Sequence, residues 1–154
     1  MKIIKKTGYG LIEMIVYTAI VAMVMIAIVG VTVTVIKSNK FVEAQHEIEN
    51  SAILSLGRIS REARSSSSVT LTSPSNANFG NSTIYLESGV IKINDGSGTS
   101  PLTSSKINVS RLFFTKITST SSTAIRTEMT LSASSTGWSL SKVFNTTTVL
   151  RGVN

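Results

Sequence analysis

The chain contains no cysteine, and among its 154 residues it has one histidine, His46, and one aspartate, Asp95. The absence of cysteine excludes a disulfide framework, a thiolate metal site, a cysteine nucleophile and a lipid-modified cysteine. One histidine and one aspartate are too few for a His/Asp metal cluster or for a catalytic set of nucleophile, base and orienting group. We therefore expect no catalytic residue, no metal site, no cofactor and no enzymatic activity.

Charge is also absent from one long segment, because residues 14–36 include no acidic or basic side chain. A helix of about 20 apolar residues spans the hydrocarbon core of a bilayer. The remaining chain is too small to surround such a helix on all sides as a soluble core. A cleaved secretory signal would have a shorter apolar region, of about 7–15 residues. The segment therefore predicts a membrane-spanning helix that is retained in the mature protein.

The charges on either side of this segment predict its orientation. Lys2, Lys5 and Lys6 precede it without any acidic residue among them, whereas Lys37 and Lys40 are soon followed by glutamates. Basic residues favour the cytoplasmic side of a membrane. We expect a single pass through the cytoplasmic membrane, with the N-terminus inside and the rest of the chain outside.

Glu13 is the one charged residue at the start of the apolar segment. A carboxylate at the centre of a membrane-spanning helix costs about 2.5–3.5 kcal/mol, and less near its end. One interpretation is an interfacial glutamate that reaches headgroups and water. The other is that Glu13 has a cationic partner inside the membrane, which would fix the register between neighbouring chains.

Residues 2–16, KIIKKTGYGLIEMIV, combine a basic leader, Gly8, an aromatic residue, Glu13 and an uninterrupted apolar helix. This order resembles the class III signal of type IV prepilins and of the pseudopilins of type II secretion. The family usually has Phe at the position of Tyr9 and Thr or Ser at that of Gly10. The resemblance implies cleavage between Gly8 and Tyr9 by a prepilin peptidase, which commonly also methylates the new N-terminal amine of Tyr9.

The resemblance also implies partners for this chain. In assembled pilins the glutamate at the position of Glu13 faces the N-terminal amine of a neighbouring subunit, which here would belong to Tyr9. The implied partners are other pilin or pseudopilin subunits, the prepilin peptidase and N-methyltransferase, membrane lipid, and an inner-membrane assembly platform driven by an ATPase. The implied destination of the processed chain is an extracytoplasmic filament.

Apolar residues continue at helical spacing beyond the apolar segment and predict one helix from Tyr9 to Arg64. The apolar stripe of its second half consists of Phe41, Ala44, Ile48, Ala52, Leu56, Ile59 and Ala63. Together with the cleavage site that the resemblance implies, this pattern divides the chain into a leader (1–8), a transmembrane and assembly half of the helix (9–36), an amphipathic half (37–64) and a head (65–154). At 1.5 Å per residue the helix is about 84 Å long, more than a domain of this size encloses.

The head contains 36 serine and threonine residues, yet apolar residues alternate along it. This alternation predicts antiparallel strands, with a hairpin at Glu87-Ser88-Gly89 and with loops at 72–82 and 94–105. Asp95 supplies the only carboxylate of its loop, which favours a turn over a calcium site. The predicted fold class is α+β, with a long N-terminal membrane-spanning helix packed on an antiparallel β-sheet head, a pilin-like roll.

Two functions remain open from the sequence. The first is a structural subunit, a minor pilin or pseudopilin of a type IV pilus-like filament, which assembles through its apolar helix. The second is a membrane-anchored binding module, such as a DNA-contacting competence pilin. Removal of the leader with its three lysines lowers the formal charge from +7 to +4, which gives only weak attraction for DNA.

Overall fold

The computed structural model describes residues 10–120, 122–135 and 137–151, and within these it contains one α-helix followed by eight β-strands. Helix α1 spans Leu11–Ser65. The strands are β1 (Thr70–Ser73), β2 (Asn76–Asn78), β3 (Thr83–Glu87), β4 (Val90–Asn94), β5 (Thr99–Pro101), β6 (Asn108–Thr118), β7 (Thr123–Ser135) and β8 (Trp138–Val149). The predicted α+β class, a long helix with antiparallel sheets, is confirmed.

The chain divides into two compact units, Met1–Lys40 and Phe41–Asn154. The boundary falls inside α1, so residues 11–40 of the helix belong to the first unit and its remainder to the second. The second unit, the head unit, also contains both sheets.

Helix α1 ends at Ser65, one residue beyond the predicted end at Arg64. No proline lies within it, and proline is the residue that most strongly interrupts a helix. Just beyond its end, the buried hydroxyl of Ser66 lies 2.7 Å from the carbonyl oxygen of Glu62 and 2.6 Å from that of Phe79. These contacts satisfy a carbonyl of the last helical turn and attach the helix end to the residue after β2.

Of the seven residues of the predicted apolar stripe, four are buried on the face of α1 that packs in the head unit, two are half-buried, and Phe41 is exposed. Ile48, Ala52, Ile59 and Ala63 are at most 1% exposed. The same face also buries Ser51 and Ser55, which the apolar pattern leaves out. The Ser55 hydroxyl lies 2.6 Å from the carbonyl oxygen of Ser51 and 3.2 Å from that of Leu102. Small hydroxyl side chains therefore fit this face because backbone carbonyls satisfy them.

The strands form two antiparallel sheets, the five-stranded sheet A in the order β1-β2-β3-β4-β5 and the three-stranded sheet B in the order β6-β7-β8. The hairpin predicted at Glu87-Ser88-Gly89 joins β3 to β4. Ser88 and Gly89 both have positive φ, of 52° and 75°. A two-residue turn with positive φ at both positions matches the right-handed twist of the flanking strands.

The prediction of loops at 72–82 and 94–105 is wrong in part, because β2 and β5 lie within these segments. β2 pairs with β1 and β3, and β5 pairs with β4. Each has only three residues, and polar residues predominate, so neither shows an alternation of apolar side chains. Pairing with a neighbouring strand, rather than local pattern, forms these two strands.

The core of the head unit lies between the buried face of α1 and apolar residues from both sheets. Its largest completely buried sheet residues are Ile84, Ile91, Ile125 and Leu131. Backbone hydrogen bonds join the sheets along β6: the Val109 amide donates to the Gly89 carbonyl at 2.8 Å, and the Phe114 amide donates to that of Pro74 at 2.7 Å.

Candidate functional site

The first unit presents a continuous apolar surface. From Leu11 to Ile36, every large apolar side chain is at least 40% exposed. Within the described residues, α1 is the one helix that is long and apolar enough to cross a membrane. Exposed apolar surface of this extent is unfavourable in water, and it requires lipid or other protein as a cover.

The threonine hydroxyls of this apolar surface are satisfied within the helix itself. The hydroxyls of Thr18, Thr32 and Thr34 lie 2.9 Å from carbonyl oxygens one turn earlier, at Met14, Ile28 and Gly30. In a medium without water, each unsatisfied polar group costs several kcal/mol. Local bonding of the three hydroxyls therefore makes the surface compatible with lipid and with a bundle of like helices.

Glu13 lies in the first turn of α1, where its amide donates to the carbonyl of Gly10 at 3.0 Å. Its side chain is exposed between Ile12 and Met14, which are 76% and 60% exposed. Among the described residues, no basic group lies within ion-pairing distance of its carboxylate. The partial positive charge of a helix N-terminus favours a carboxylate at this position.

The predicted processing residues, Gly8 and Tyr9, lie outside the described residues. Of the three predicted site residues, the structure therefore describes Glu13, which lies at the start of the apolar surface. Glu13 is also the only charged residue among residues 10–36.

In the head unit, a row of side-chain contacts joins α1 to β8. Phe41 packs edge-to-face on Trp138 with ring centroids 5.6 Å apart. Farther along both elements the Thr148 hydroxyl lies 3.0 Å from that of Ser60. Between them the Lys142 ammonium donates to a Glu49 carboxylate oxygen at 2.6 Å. This hydrogen bond, with a second from Gln45, lowers the pKa of Glu49 below its usual value.

An open depression near the end of α1 is lined by Gly57, Ser60, Arg61, Arg64 and Ser65. Arg61 and Arg64 are exposed, and within the described residues neither makes an ion pair. The neighbouring Arg58 is paired, because its Nε lies 3.0 Å from a carboxylate oxygen of Glu62. Two unpaired guanidinium groups beside hydroxyls give this depression the chemistry of an anion-binding surface.

The loop that contains Asp95 is organised as a turn. Its carboxylate accepts hydrogen bonds from the Ser97 hydroxyl at 2.6 Å and from the Ser97 amide at 3.2 Å, and these bonds lower the pKa of Asp95. Among the described residues, no three histidine, cysteine or acidic side chains come close enough to hold a metal ion.

The apolar pattern of α1 does not indicate the depression that Arg61 and Arg64 line. The missed signal is the combination of Gly57 with Ser60, since small residues beside two arginines leave open space on a helix surface. A Cβ added at Gly57 would meet nothing within 4 Å.

Comparisons with protein-family models, with curated proteins and with solved structures found no match for this chain. The chain's own residues therefore carry the functional argument.

Proposed function

We propose that this protein is a structural subunit, a minor pilin or pseudopilin, of a type IV pilus-like filament. The observation that carries the proposal is a lipid-compatible apolar helix face that bears a single carboxylate, Glu13, in its first turn. The class III-like order of residues 2–16 supports it. The proposal assigns no catalytic chemistry to the chain, since its activity is assembly.

The proposed mechanism begins with removal of residues 1–8, which creates an amine at Tyr9. The apolar helix then moves from the bilayer into a bundle of like helices in a filament outside the membrane. This exchange is nearly neutral in hydrophobic terms because lipid and the bundle are both apolar. Register between subunits therefore has to come from packing and from the attraction between Glu13 and the amine of a neighbouring subunit. This attraction is strong at low dielectric.

Processing is tested by mass spectrometry of the chain purified from its native membrane. The proposal expects a chain that begins at Tyr9 and carries one additional methyl group. A native chain that still begins at Met1 would remove the source of the amine and contradict the mechanism.

The role of Glu13 is tested separately by replacing it in the full chain. Glu13→Val is expected to leave membrane insertion intact and to impair incorporation into filaments, whereas Glu13→Asp, which keeps the charge, is expected to retain part of it. The readout is the amount of subunit in sheared filaments relative to the amount in membranes. Normal incorporation of Glu13→Val would refute the ion-pair role.

The second candidate is a membrane-anchored module that contacts DNA, and the depression beside Arg61 and Arg64 favours it. Phosphates are bound by exposed basic side chains, and such binding weakens steeply as salt increases. The processed charge of +4 supplies little attraction beyond this depression.

DNA contact is tested with the full chain in detergent and double-stranded DNA at several salt concentrations. If the depression binds phosphate, Arg61→Ala together with Arg64→Ala is expected to weaken binding and to reduce its salt dependence by about two contacts. Arg111→Ala, which removes a guanidinium stacked on Phe113, is the matched control. Binding that is absent, or equally weakened by both changes, excludes this function for the depression.

A further inference from the structure

Asp95 and Gly96 form the only pair in the chain in which an aspartate or an asparagine precedes glycine. Glycine has no side chain, so its amide nitrogen is the least hindered in approaching the carboxyl group of the residue before it. Residues 94–98 are exposed and connect β4 to β5, and a Cβ added at Gly96 would meet nothing within 4 Å. The two groups that could react therefore lie in open space.

The reaction open to this pair is cyclisation, in which the Gly96 nitrogen forms a bond to Cγ of Asp95. The carboxyl group reacts in its protonated form, and its hydroxyl leaves as water with the amide proton, which gives a cyclic succinimide. Water then opens the ring. Attack at Cγ restores aspartate, whereas attack at the backbone carbonyl carbon breaks the original peptide bond and leaves isoaspartate. No oxidant, reductant or reactant other than water is consumed.

The contacts of Ser97 hold the Asp95 carboxylate in its ionised form. One carboxylate oxygen accepts hydrogen bonds from the Ser97 hydroxyl at 2.6 Å and from the Ser97 amide at 3.2 Å. The pKa of Asp95 is lowered first by the Ser97 hydroxyl and then by the Ser97 amide, and the charge of Arg58 on α1 acts in the same direction. An ionised carboxylate has no hydroxyl to release as water, so these contacts oppose cyclisation.

The attacking nitrogen is also held in a hydrogen bond. The Gly96 amide donates to the side-chain oxygen of Asn94 at 3.0 Å. This bond is lost when the nitrogen gives up its proton, so it adds to the barrier. Around the pair, Asn94 lies opposite Thr99 in the ladder of β4 and β5, and the Asp95 amide donates to the Gly98 carbonyl at 3.4 Å.

We propose that Asp95 is a site of isoaspartate formation in the head unit, and that the side chains of Ser97 and Asn94 slow this reaction in the folded chain. The product carries Cβ and Cγ of Asp95 in the main chain, which gains one atom, and it leaves the former backbone carbonyl as a free carboxylate. A turn closed by the pairing of Asn94 with Thr99 is expected to lose its register when the main chain within it becomes longer.

The structural consequence is confined to one end of sheet A. β5 has three residues, all exposed, and within the described residues it pairs only with β4. The residues that follow it have separate attachments: the Leu102 amide donates to the Ile91 carbonyl at 2.7 Å, and the Thr103 hydroxyl accepts from the Ile91 amide at 3.1 Å. Isomerisation is therefore expected to release β5 and to leave the core of the head unit in place.

Peptide mapping of the full chain after prolonged incubation in detergent micelles at neutral pH tests the proposal. Isoaspartate at Asp95 gives a peptide of unchanged mass, and electron-transfer fragmentation distinguishes it from aspartate. Ser97→Ala is expected to accumulate it at least about threefold faster than the unmodified chain, because one hydrogen bond to the carboxylate is lost. Asn94→Ala is also expected to accelerate it, whereas Ser97→Thr, which keeps the hydroxyl, is expected to stay near the unmodified rate.

Two further variants are controls. Ser100→Ala removes an exposed hydroxyl from β5 and leaves the contacts of Asp95 intact, so its rate is expected to equal that of the unmodified chain. Asp95→Glu is expected to give no isomerised product at this position, because the longer side chain closes a larger ring much more slowly. Absence of isoaspartate at Asp95 from both the unmodified chain and Ser97→Ala would overturn the assignment of the site.

The same incubation in urea tests whether the folded loop is the cause of the slow reaction. The rates of Ser97→Ala, Ser97→Thr and the unmodified chain are expected to converge there, because the contacts exist only in the folded loop. Equal rates in the folded chains, or a difference that persists in urea, would overturn the restraint by Ser97.

Hydrogen exchange of the isomerised fraction tests the release of β5. The peptide that covers β5 is expected to exchange faster than in the unmodified chain, while those that cover β6, β7 and β8 exchange as before. Unchanged exchange at β5 would overturn this consequence. The inference is independent of the proposed filament role, because it concerns one loop of the head unit.

Discussion

Thr127 shows how one hydroxyl can oppose stability in the head unit. It lies on the core side of β7, opposite Phe114 and Thr146, and is completely buried. Its hydroxyl has no hydrogen-bond partner among the described residues. An unsatisfied buried hydroxyl costs about 1–3 kcal/mol, and an apolar group of the same shape avoids that cost.

We therefore expect Thr127→Val to raise the free energy of unfolding by about 1–2 kcal/mol. The measurement is urea unfolding of the full chain in detergent, followed by the fluorescence of Trp138, the only tryptophan. Thr130→Val on the opposite face of the same strand is the control, with an expected change within about 0.5 kcal/mol. A destabilised Thr127→Val would mean that the hydroxyl is satisfied in solution.

Glu49 makes the stability of the head unit depend on pH in the acid range. The hydrogen bond from Lys142 lowers its folded-state pKa below the unfolded value of about 4.3. Unfolding therefore takes up a proton when the pH lies between the two pKa values. The stabilisation is complete above the unfolded pKa and is lost as the pH falls through the folded one.

Replacing Glu49 with glutamine is expected to remove this part of the acid dependence. Between about pH 5 and pH 3, the melting temperature of the variant should fall less than that of the unmodified chain. Glu43→Gln is the matched control, because Glu43 faces Lys106 at 3.6 Å and both side chains are 72% exposed. Equal acid dependence of all three chains would contradict the contribution of the Glu49–Lys142 pair.

At the scale of the element, α1 carries two isoleucines that differ in burial but not in chemistry. Ile59 is completely buried against the sheets, whereas Ile53 is 68% exposed on another face. Ile59→Ala is expected to lower the free energy of unfolding by about 2–5 kcal/mol through lost burial and a residual cavity. Ile53→Ala is expected to change it by less than about 0.5 kcal/mol. Similar losses at both positions, in the same urea experiment, would mean that α1 buries a different face.

The contrast between these helix residues shows what periodicity predicts well. Apolar spacing of three and four residues identified Ile48, Ile59 and Ala63 as buried, and it placed the end of α1 within one residue. It could not identify Ser51 and Ser55, because their burial depends on backbone carbonyls that only the folded chain brings near. Hydroxyl satisfaction is a tertiary property and leaves no periodic signal.

The strands show the same contrast between what local pattern predicts and what depends on tertiary contacts. β6, β7 and β8 are eleven to thirteen residues long and each contain five apolar residues, so local pattern predicts strands there. β2 and β5 depend on pairing with neighbouring strands for their conformation, so local pattern does not predict them. The order of strands within a sheet also carries no local signal, so the position of β8 at an edge of sheet B follows only from the topology of the described residues. Glu13, in contrast, was identifiable from sequence alone as the single charge in an apolar segment.

At the scale of the whole molecule, the proposed mechanism links processing to assembly through one ion pair. In the proposed mechanism Glu13 and the Tyr9 amine act as a unit, and the amine exists only after cleavage behind Gly8. Residues that act through one interaction show strongly non-additive effects when both are changed. A double-mutant cycle therefore tests the linkage without requiring the neighbouring subunit to be seen.

We expect Gly8→Val, which retains the leader, to impair filament incorporation at least as much as Glu13→Val. In the Gly8→Val background the glutamate has no amine to bind, so adding Glu13→Val should cause no further loss. The measurement is the fraction of subunit in sheared filaments, with Ile53→Ala as a folded control that leaves the leader and Glu13 intact. If the losses of filament incorporation caused by the two changes instead multiply, Glu13 contributes to assembly independently of the amine. Its carboxylate would then act as an interfacial group that reaches headgroups and water, and it would not set the register between subunits.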